Sequence, residues 1–523
     1  MTTMGAVYIA GVGMTKFGKS SQTLSELFCE AAQSALSTSP IQDIEALYIG
    51  AMNPEEFIGE SNVASQIAAE LGLTGLPALR VETASSAGAA ALHAAFQAVA
   101  SGYYRHVLVL GGEKMTHLST SATTRILAEV IDKQERQCGA TMPALAAMMT
   151  ERYRKKYRLS HSRMEHLLCR VALKNHLNGS YNPYAQFQQS ISEKIYFSSK
   201  FVATPLRLYD CSPITDGAAA LILTSEPTDI FIAGIGQGTG PVSLRERDSF
   251  TSFRATQVAA SRAYQMAGLS PEAIDFAEVH DAFTPFEIIC TEDLGFFPPG
   301  KGGEALESGR TSLEGSLPIN PSGGLKSRGH PVGATGVAQV VEIVRRLRGE
   351  SKPKPRRELR RALAQSTGGL GANNFVTILE RTAGLLQVQN LWTPPPLPSA
   401  ARRLSRKGHP PAPASEAGRI ETFTILYVTP DGFLPPLALA LIRDRKGRLL
   451  MAQGEDISHL KIGREVYLRQ VGDTYLFTVK SHLRKVREAM RKLLRRSPSL
   501  PSTSETATIP YDRPKSKAQR ETV

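Results

Sequence analysis

Three side chains in this sequence are of the kinds that move protons or carry acyl groups: Ser85, His280 and His330. Ser85 lies in Val81–Ala95 (VETASSAGAAALHAA), where a polar turn gives way to a run of Ala, Gly and Ser. Such residues predict a helix that neighbouring backbone can approach closely. The free N–H groups at its N-terminal end suit an anion or a developing oxyanion. The competing reading is a small-residue core helix capped by a serine. His280 closes the apolar run Phe276–His280, at what reads as a strand end. His330 stands in Ile319–Gly336 (INPSGGLKSRGHPVGATG), the strongest motif of the chain. Its glycines allow positive φ and close approach of a ligand, and Pro331 restricts the backbone just after the histidine. A hydroxyl and two imidazoles are the groups that nucleophilic and general acid–base chemistry use.

The elements that must position these residues alternate along the chain. Ala6–Gly13, Ile44–Gly50 and His106–Gly111 read as buried strands. Thr23–Leu36, Asn62–Leu71 and the stretch from Ser85 to Ala100 read as helices. That order predicts an α/β layer fold with a covered sheet. In the second half, Ala255–Ala267, an amphipathic Phe283–Leu294 and Val337–Arg348 read as helices, and Asn374–Leu379 as the last core strand. Ile230–Gly236 (IFIAGIG) echoes Tyr8–Gly13 (YIAGVG), a faint internal repeat. Asp210 and Asp216 read as turn and cap residues.

These motifs resemble those of the thiolases, in particular the branch of sterol-carrier-protein thiolases and archaeal acetyl-CoA acetyltransferases. VETASSAG is similar to the family's nucleophile segment, and His280–Phe283 (HDAF) to its histidine–aspartate–cysteine–phenylalanine motif. Gly329–Pro331 is similar to its glycine–histidine–proline block, and Leu363–Leu379 to its terminal glycine-rich loop. The resemblance implies a five-layer α/β/α/β/α fold with duplicated halves. The N-terminal half would span residues 1–228, with an excursion loop domain at 115–207, and the C-terminal half residues 229–388. It implies coenzyme A or acyl-CoA as substrate or ligand, with no tightly bound cofactor and no metal. His330 would activate the nucleophile, and Asn320 would hold a water beside the thioester oxygen, with Ser85 and His280 at the reacting centre. Lys174, Asn175 and His176 would face pantetheine or phosphate, and Gly323, Gly324 and Gly369 would bring backbone close to the ligand. The competing reading of residues 174–176 is a helix C-terminus closed by Asn178 and Gly179.

Two departures from the family's pattern decide what chemistry is left. Ser85 stands where the nucleophilic cysteine is expected, and Ala282 where the second catalytic cysteine is. Cys290 lies two turns further along its helix and is no substitute. A hydroxyl is far less acidic than a thiol, so acyl transfer is expected to be weak, redirected or absent. Serine-based acyl transfer, aldol or retro-aldol chemistry using His280 and His330, non-catalytic acyl-CoA or lipid binding, and a scaffold role in a thiolase complex all stay open.

With 523 residues the chain exceeds one ordinary domain. A Pro-rich linker is expected at 389–417. Short strands with tight turns at 418–480 predict a small β-barrel. It resembles the OB-fold half of the small partner protein of archaeal thiolases. No cysteine follows Cys290, so the zinc ribbon that usually precedes that barrel is not expected. A basic helix and a polar tail are expected at 481–523. The net charge of +13 suits phosphate-rich ligands, but no aromatic cluster accompanies it, so nucleic-acid binding is not expected. The 5 cysteines form no C-x-x-C pair, which points to a reducing cytoplasm. No apolar run reaches membrane-spanning length. A homodimer is expected, with the strand near His106–Leu110 pairing across the two-fold. A partner protein or a higher oligomer stays open.

Overall fold

The computed structural model describes residues 5–382 and 417–480. The linker expected before the barrel and the basic helix and tail expected at 481–523 lie outside the described residues, apart from residue 417. In chain order the strands of the first part are β1 (Tyr8–Met14), β2 (Ala46–Gly50), β3 (Ala78–Val81), β4 (His106–Glu113), β5 (Phe201–Ala203), β6 (Leu206–Arg207), β7 (Gly217–Thr224), β8 (Ile230–Thr239), β9 (Phe276–Glu278), β10 (Arg361–Gly368) and β11 (Asn373–Arg381). All but β5 and β6 join in one mixed sheet of order β3-β2-β4-β7-β1-β8-β11-β10-β9.

Helices pack this sheet in layers. Leu24–Ser37 and Val63–Glu70 cover the outer face of the first half, where Leu27, Phe28 and Ala31 meet Leu47, Leu108 and Ala220. Ala87–Ala100 and Thr335–Leu347 pack on each other and share one apolar cluster with strands of both halves. Arg254–Ala267 lies on β8 and β11 of the second half. The succession is the expected five layers. The two echoing segments are β1 and β8, the first strand of each half, and they pair where the halves meet, at Tyr8 and Phe231. Each uses glycine the same way. A Cβ at Gly13 would collide with the Ala31 carbonyl of its outer helix, and one at Gly236 with the Ala259 carbonyl.

Two expectations are corrected. β4 cannot pair across a two-fold, because β2 and β7 already occupy both its edges. Its continuous apolar sequence is that of a strand buried on both faces, and all eight residues are buried. The open edge at this end of the sheet is β3, where Leu79 is 56% exposed. The helix Thr284–Asp293 is not amphipathic in place, since every residue is buried. Its acids turn inward to partners. Glu292 accepts from the Tyr153 hydroxyl at 2.5 Å, and Asp293 from the Ser252 hydroxyl and the Phe253 N–H, both at 2.6 Å.

The C-terminal strands are β12 (Ala417–Leu426), β13 (Leu437–Asp444), β14 (Leu449–Gly454), β15 (Glu465–Val471) and β16 (Thr474–Val479). β12 pairs with both β13 and β15, and β14 runs parallel to β16, which closes a five-stranded OB-like barrel. Ile420, Ile442, Ala452, Val466 and Phe477 fill it. The barrel sits on the excursion. β5 pairs with β12, and the Thr422 hydroxyl donates to the Met148 carbonyl at 2.7 Å. Arg152 meets Glu421 at 3.4 Å. Among the described residues no group of three His, Cys, Asp or Glu is placed to hold a metal ion. No helix among them is long and apolar enough to cross a membrane.

Candidate functional site

Ser85 follows Ala84, whose φ of +56° is costly for a residue with a side chain. This sharp turn sets Ser85 ahead of the buried helix Ala87–Ala100. Ser86 takes the cap position, and its hydroxyl donates to the Thr83 carbonyl at 2.7 Å. Ser85 is therefore not the cap. It is half-buried and makes no side-chain hydrogen bond among the described residues.

Ser85, His280, His330 and Gly369 meet in one cavity of about 70 Å3, walled by Leu127, Val130, Met142, Ala282, Phe283 and Phe286 among others. The two imidazoles stand edge to face with centroids 5.1 Å apart. The Thr335 hydroxyl lies 2.7 Å from His330 Nδ1 and 3.1 Å from the Pro331 carbonyl; with its proton on that carbonyl it accepts from His330 Nδ1–H. His330 Nε2 is then a bare lone pair. The Thr367 backbone N–H donates to His280 Nδ1 at 3.2 Å, which places the proton of His280 on Nε2. One imidazole presents a base and the other a donor.

Burial pushes His330 down to about 3, helped by the Arg328 charge. Burial, then the charges of His330 and Arg328, hold His280 well below its ordinary value. Both rings are neutral at physiological pH. A histidine with a depressed folded-state pKa contributes stability above its ordinary value near 6.5, and that stability is lost as pH falls through the interval toward 3. Imidazole nitrogen shifts followed by NMR from about pH 8 down to about pH 5 should show His280 and His330 unprotonated throughout. Titration of either ring near its ordinary value would contradict the assignment.

The other expected residues form a layer behind the cavity. Asn320 Oδ1 accepts from the Val279 N–H at 2.8 Å, and its Nδ2 donates to Glu287 at 2.8 Å. Its side chain thus holds the strand end that carries His280. Asn175 Nδ2 donates to Asp281 at 2.7 Å and to Glu287 at 2.8 Å. Lys174 pairs with Glu287 at 3.0 Å and donates to the Ile319 carbonyl at 2.6 Å. Burial, then the nearby Glu287 charge, raises Asp281 to about 6. His176 is buried, stacked on Phe187. Gly323 backs onto Gly179, and Gly324 has φ +58° with the Asp281 carboxylate where a Cβ would stand. These groups serve packing and the support of the motif strands, and none lines the cavity. Beneath both histidines lies a buried ion pair, Glu278–Arg328 at 3.7 Å.

Thr335 and Thr367, which set the tautomers, and Ser212, Met142 and Phe286, which line the cavity, were missed as site residues. Thr335 had a signal, since it opens a helix five residues after His330. For the others sequence spacing carries none.

The comparisons with known proteins agree with this geometry. The family pattern "Thiolase, N-terminal domain" matches residues 7–227, and "Thiolase C-terminal domain-like" matches residues 236–381. The chain belongs to the thiolase family. An acetyl-CoA acetyltransferase of Methanothermobacter thermautotrophicus is 40% identical over 388 residues, 72% of this chain and 100% of that protein. A monomeric SCP2-thiolase-like protein of Mycobacterium smegmatis superposes with a TM-score of 0.67 at 17% identity, over 90% of this chain and 99% of its own. The Ltp2-ChsH2(DUF35) aldolase superposes with a TM-score of 0.61 at 24% identity, over 73% of this chain and 99% of its own. The last two show likeness of fold.

Proposed function

We propose that this protein binds acyl-CoA and performs thioester-enolate chemistry of the aldol or retro-aldol type, in place of thiol-based acyl transfer. The observation that carries the reading is the pair of neutral imidazoles offering a donor and a base to one cavity. In the cleavage direction, His330 Nε2 removes the proton of a β-hydroxyl. The carbon–carbon bond breaks, its electrons pass into the thioester as an enolate, and His280 Nε2–H donates to the enolate oxygen. The proton then returns from His330 to the α-carbon, so the step needs no further reactant. A base depressed to about 3 is weak in the empty pocket, and the charge growing on the thioester oxygen favours the imidazolium once substrate is present. Ser85 has no hydrogen bond to either histidine and Ala282 offers no proton, which weighs against serine-based acyl transfer. The same two facts favour a second reading, an acyl-CoA binding protein without catalysis.

One experiment separates them. The protein should bind CoA by calorimetry and exchange the α-protons of propionyl-CoA in deuterated water, and His330→Gln should lower exchange by about 100-fold or more with binding kept. Binding without exchange establishes the second reading. Absence of CoA binding defeats both.

A further inference from the structure

We propose that the Phe253–Phe286 pair is the specificity wall of this site, limiting it to compact, uncharged acyl groups and closing off a second, charged chamber. The proposal rests on the acyl-CoA reading above. Phe286 lines the reacting cavity, and no Lys, Arg, Asp or Glu does. The cavity's roughly 70 Å3 lies far below the range of ligand pockets, about 300–1,000 Å3, so an acyl group that enters it must be compact. A carboxylate at the end of an acyl chain would meet no cation there, only apolar side chains, two serines and the neutral imidazoles, and unpaired burial of a charge is costly.

Behind this wall the chemistry changes. The Phe253 ring meets the Phe286 ring edge-on with centroids 5.0 Å apart, and Phe253 lines a second chamber of about 420 Å3. A single turn borders both spaces, with Gly369 on the reacting cavity and Gly371 on the chamber. A Cβ at Gly371 would collide with the Phe253 ring, so backbone and ring are packed face to face. The chamber carries Lys156, Arg247 and Arg254, the exposed Asp248, and the buried Glu292 and Asp293. The two buried acids are occupied by hydrogen bonds from Tyr153, Gly302, Ser252, Phe253 and Gln257. Arg247 lies over the Phe253 ring at 5.8 Å and donates to the Leu370 carbonyl. It has no carboxylate partner within ion-pair distance among the described residues, and its Nε is buried without any partner. Lys156 and Arg254 likewise lack a carboxylate at that distance, and Arg247 is the cation placed over the Phe253 ring, on the side a lengthened acyl chain would reach.

The test is a calorimetric series with CoA, butyryl-CoA, octanoyl-CoA and its ω-carboxylated counterpart suberyl-CoA, on the full chain and on variants. The native protein should bind butyryl-CoA about tenfold or more tightly than octanoyl- or suberyl-CoA. Phe286→Ala should bring octanoyl-CoA level with butyryl-CoA, and suberyl-CoA should gain at least as much. Arg247→Gln added to Phe286→Ala should remove the suberyl gain and keep the octanoyl gain. If Phe286→Ala does not fold, Phe286→Leu should shift the same ratio in the same direction. Equal affinity of the native protein for butyryl- and octanoyl-CoA, or a ratio unmoved in a folded variant, overturns the wall with the CoA reading intact. No binding of CoA by the native protein removes the reading and the wall together.

Discussion

Ser85→Cys should take an acetyl group from acetyl-CoA, seen as one acetyl increment in the intact mass, where the native protein shows none. The position has what a thiol nucleophile needs. It precedes the helix Ala87–Ala100 and shares a cavity with His280 and His330. A thiolate forms near neutral pH in such surroundings and a serine alkoxide does not. Because the Ser85 hydroxyl makes no hydrogen bond and caps nothing, Ser85→Ala should change stability by less than about 0.5 kcal/mol. Claisen condensation should stay poor in Ser85→Cys, since Ala282 offers no second thiol and His330 alone must serve both the acyl step and the α-carbon. An acyl adduct on native Ser85, or efficient thiolysis of acetoacetyl-CoA by the native protein, would show that serine with two histidines is sufficient.

The largest effect on stability should come from the ion pair beneath the histidines, and it should be asymmetric. Glu278→Leu leaves the wholly buried Arg328 guanidinium without its carboxylate, and a guanidinium cannot shed its charge. The expected loss is about 3–5 kcal/mol. Arg328→Met is milder in acid, because Glu278 can take up a proton. Burial already raises Glu278 to about 7, and Arg328 is the charge that holds it from rising further. An acid with a folded-state pKa above its unfolded value is favourable below about 4.5 and loses that contribution as pH climbs through about 7. Unfolding curves should therefore place Arg328→Met near the native protein at about pH 5 and well below it at about pH 8, with Glu278→Leu low at both. Equal losses for the two variants at both pH values would refute the asymmetry.

Much of the fold was legible because periodicity and glycine placement are local. HVLVLG reads as a strand buried on both faces, and YIAGVG and IFIAGIG as strands against which helices pack closely. The five C-terminal strands and their turns were likewise readable, and they close as the expected OB-like barrel. Ser85, His280 and His330 stood out because each lies where a strand or loop meets a helix, and they converge on one cavity. Phe286 lies on a helix whose acids look solvent-facing in sequence, and only interior donors such as Tyr153 and Ser252 make burying them possible.

The sequence by itself determined which chemistry is lost, since no fold can restore a thiol at Ser85 or Ala282, and it determined the layers through patterns spanning a few residues. The tertiary structure alone decided which polar residues face the ligand. Lys174, Asn175 and Asn320 are of types that bind phosphate or water, yet they spend hydrogen bonds on Glu287, Asp281 and backbone 33 to 145 residues away in sequence. The tautomers of His280 and His330 were decided in the same way, because a backbone N–H and a hydroxyl brought up by folding fix where each proton sits. Hydrogen bonds are short-ranged and directional, so a side chain's role follows from the partner that packing places within about 3 Å of it.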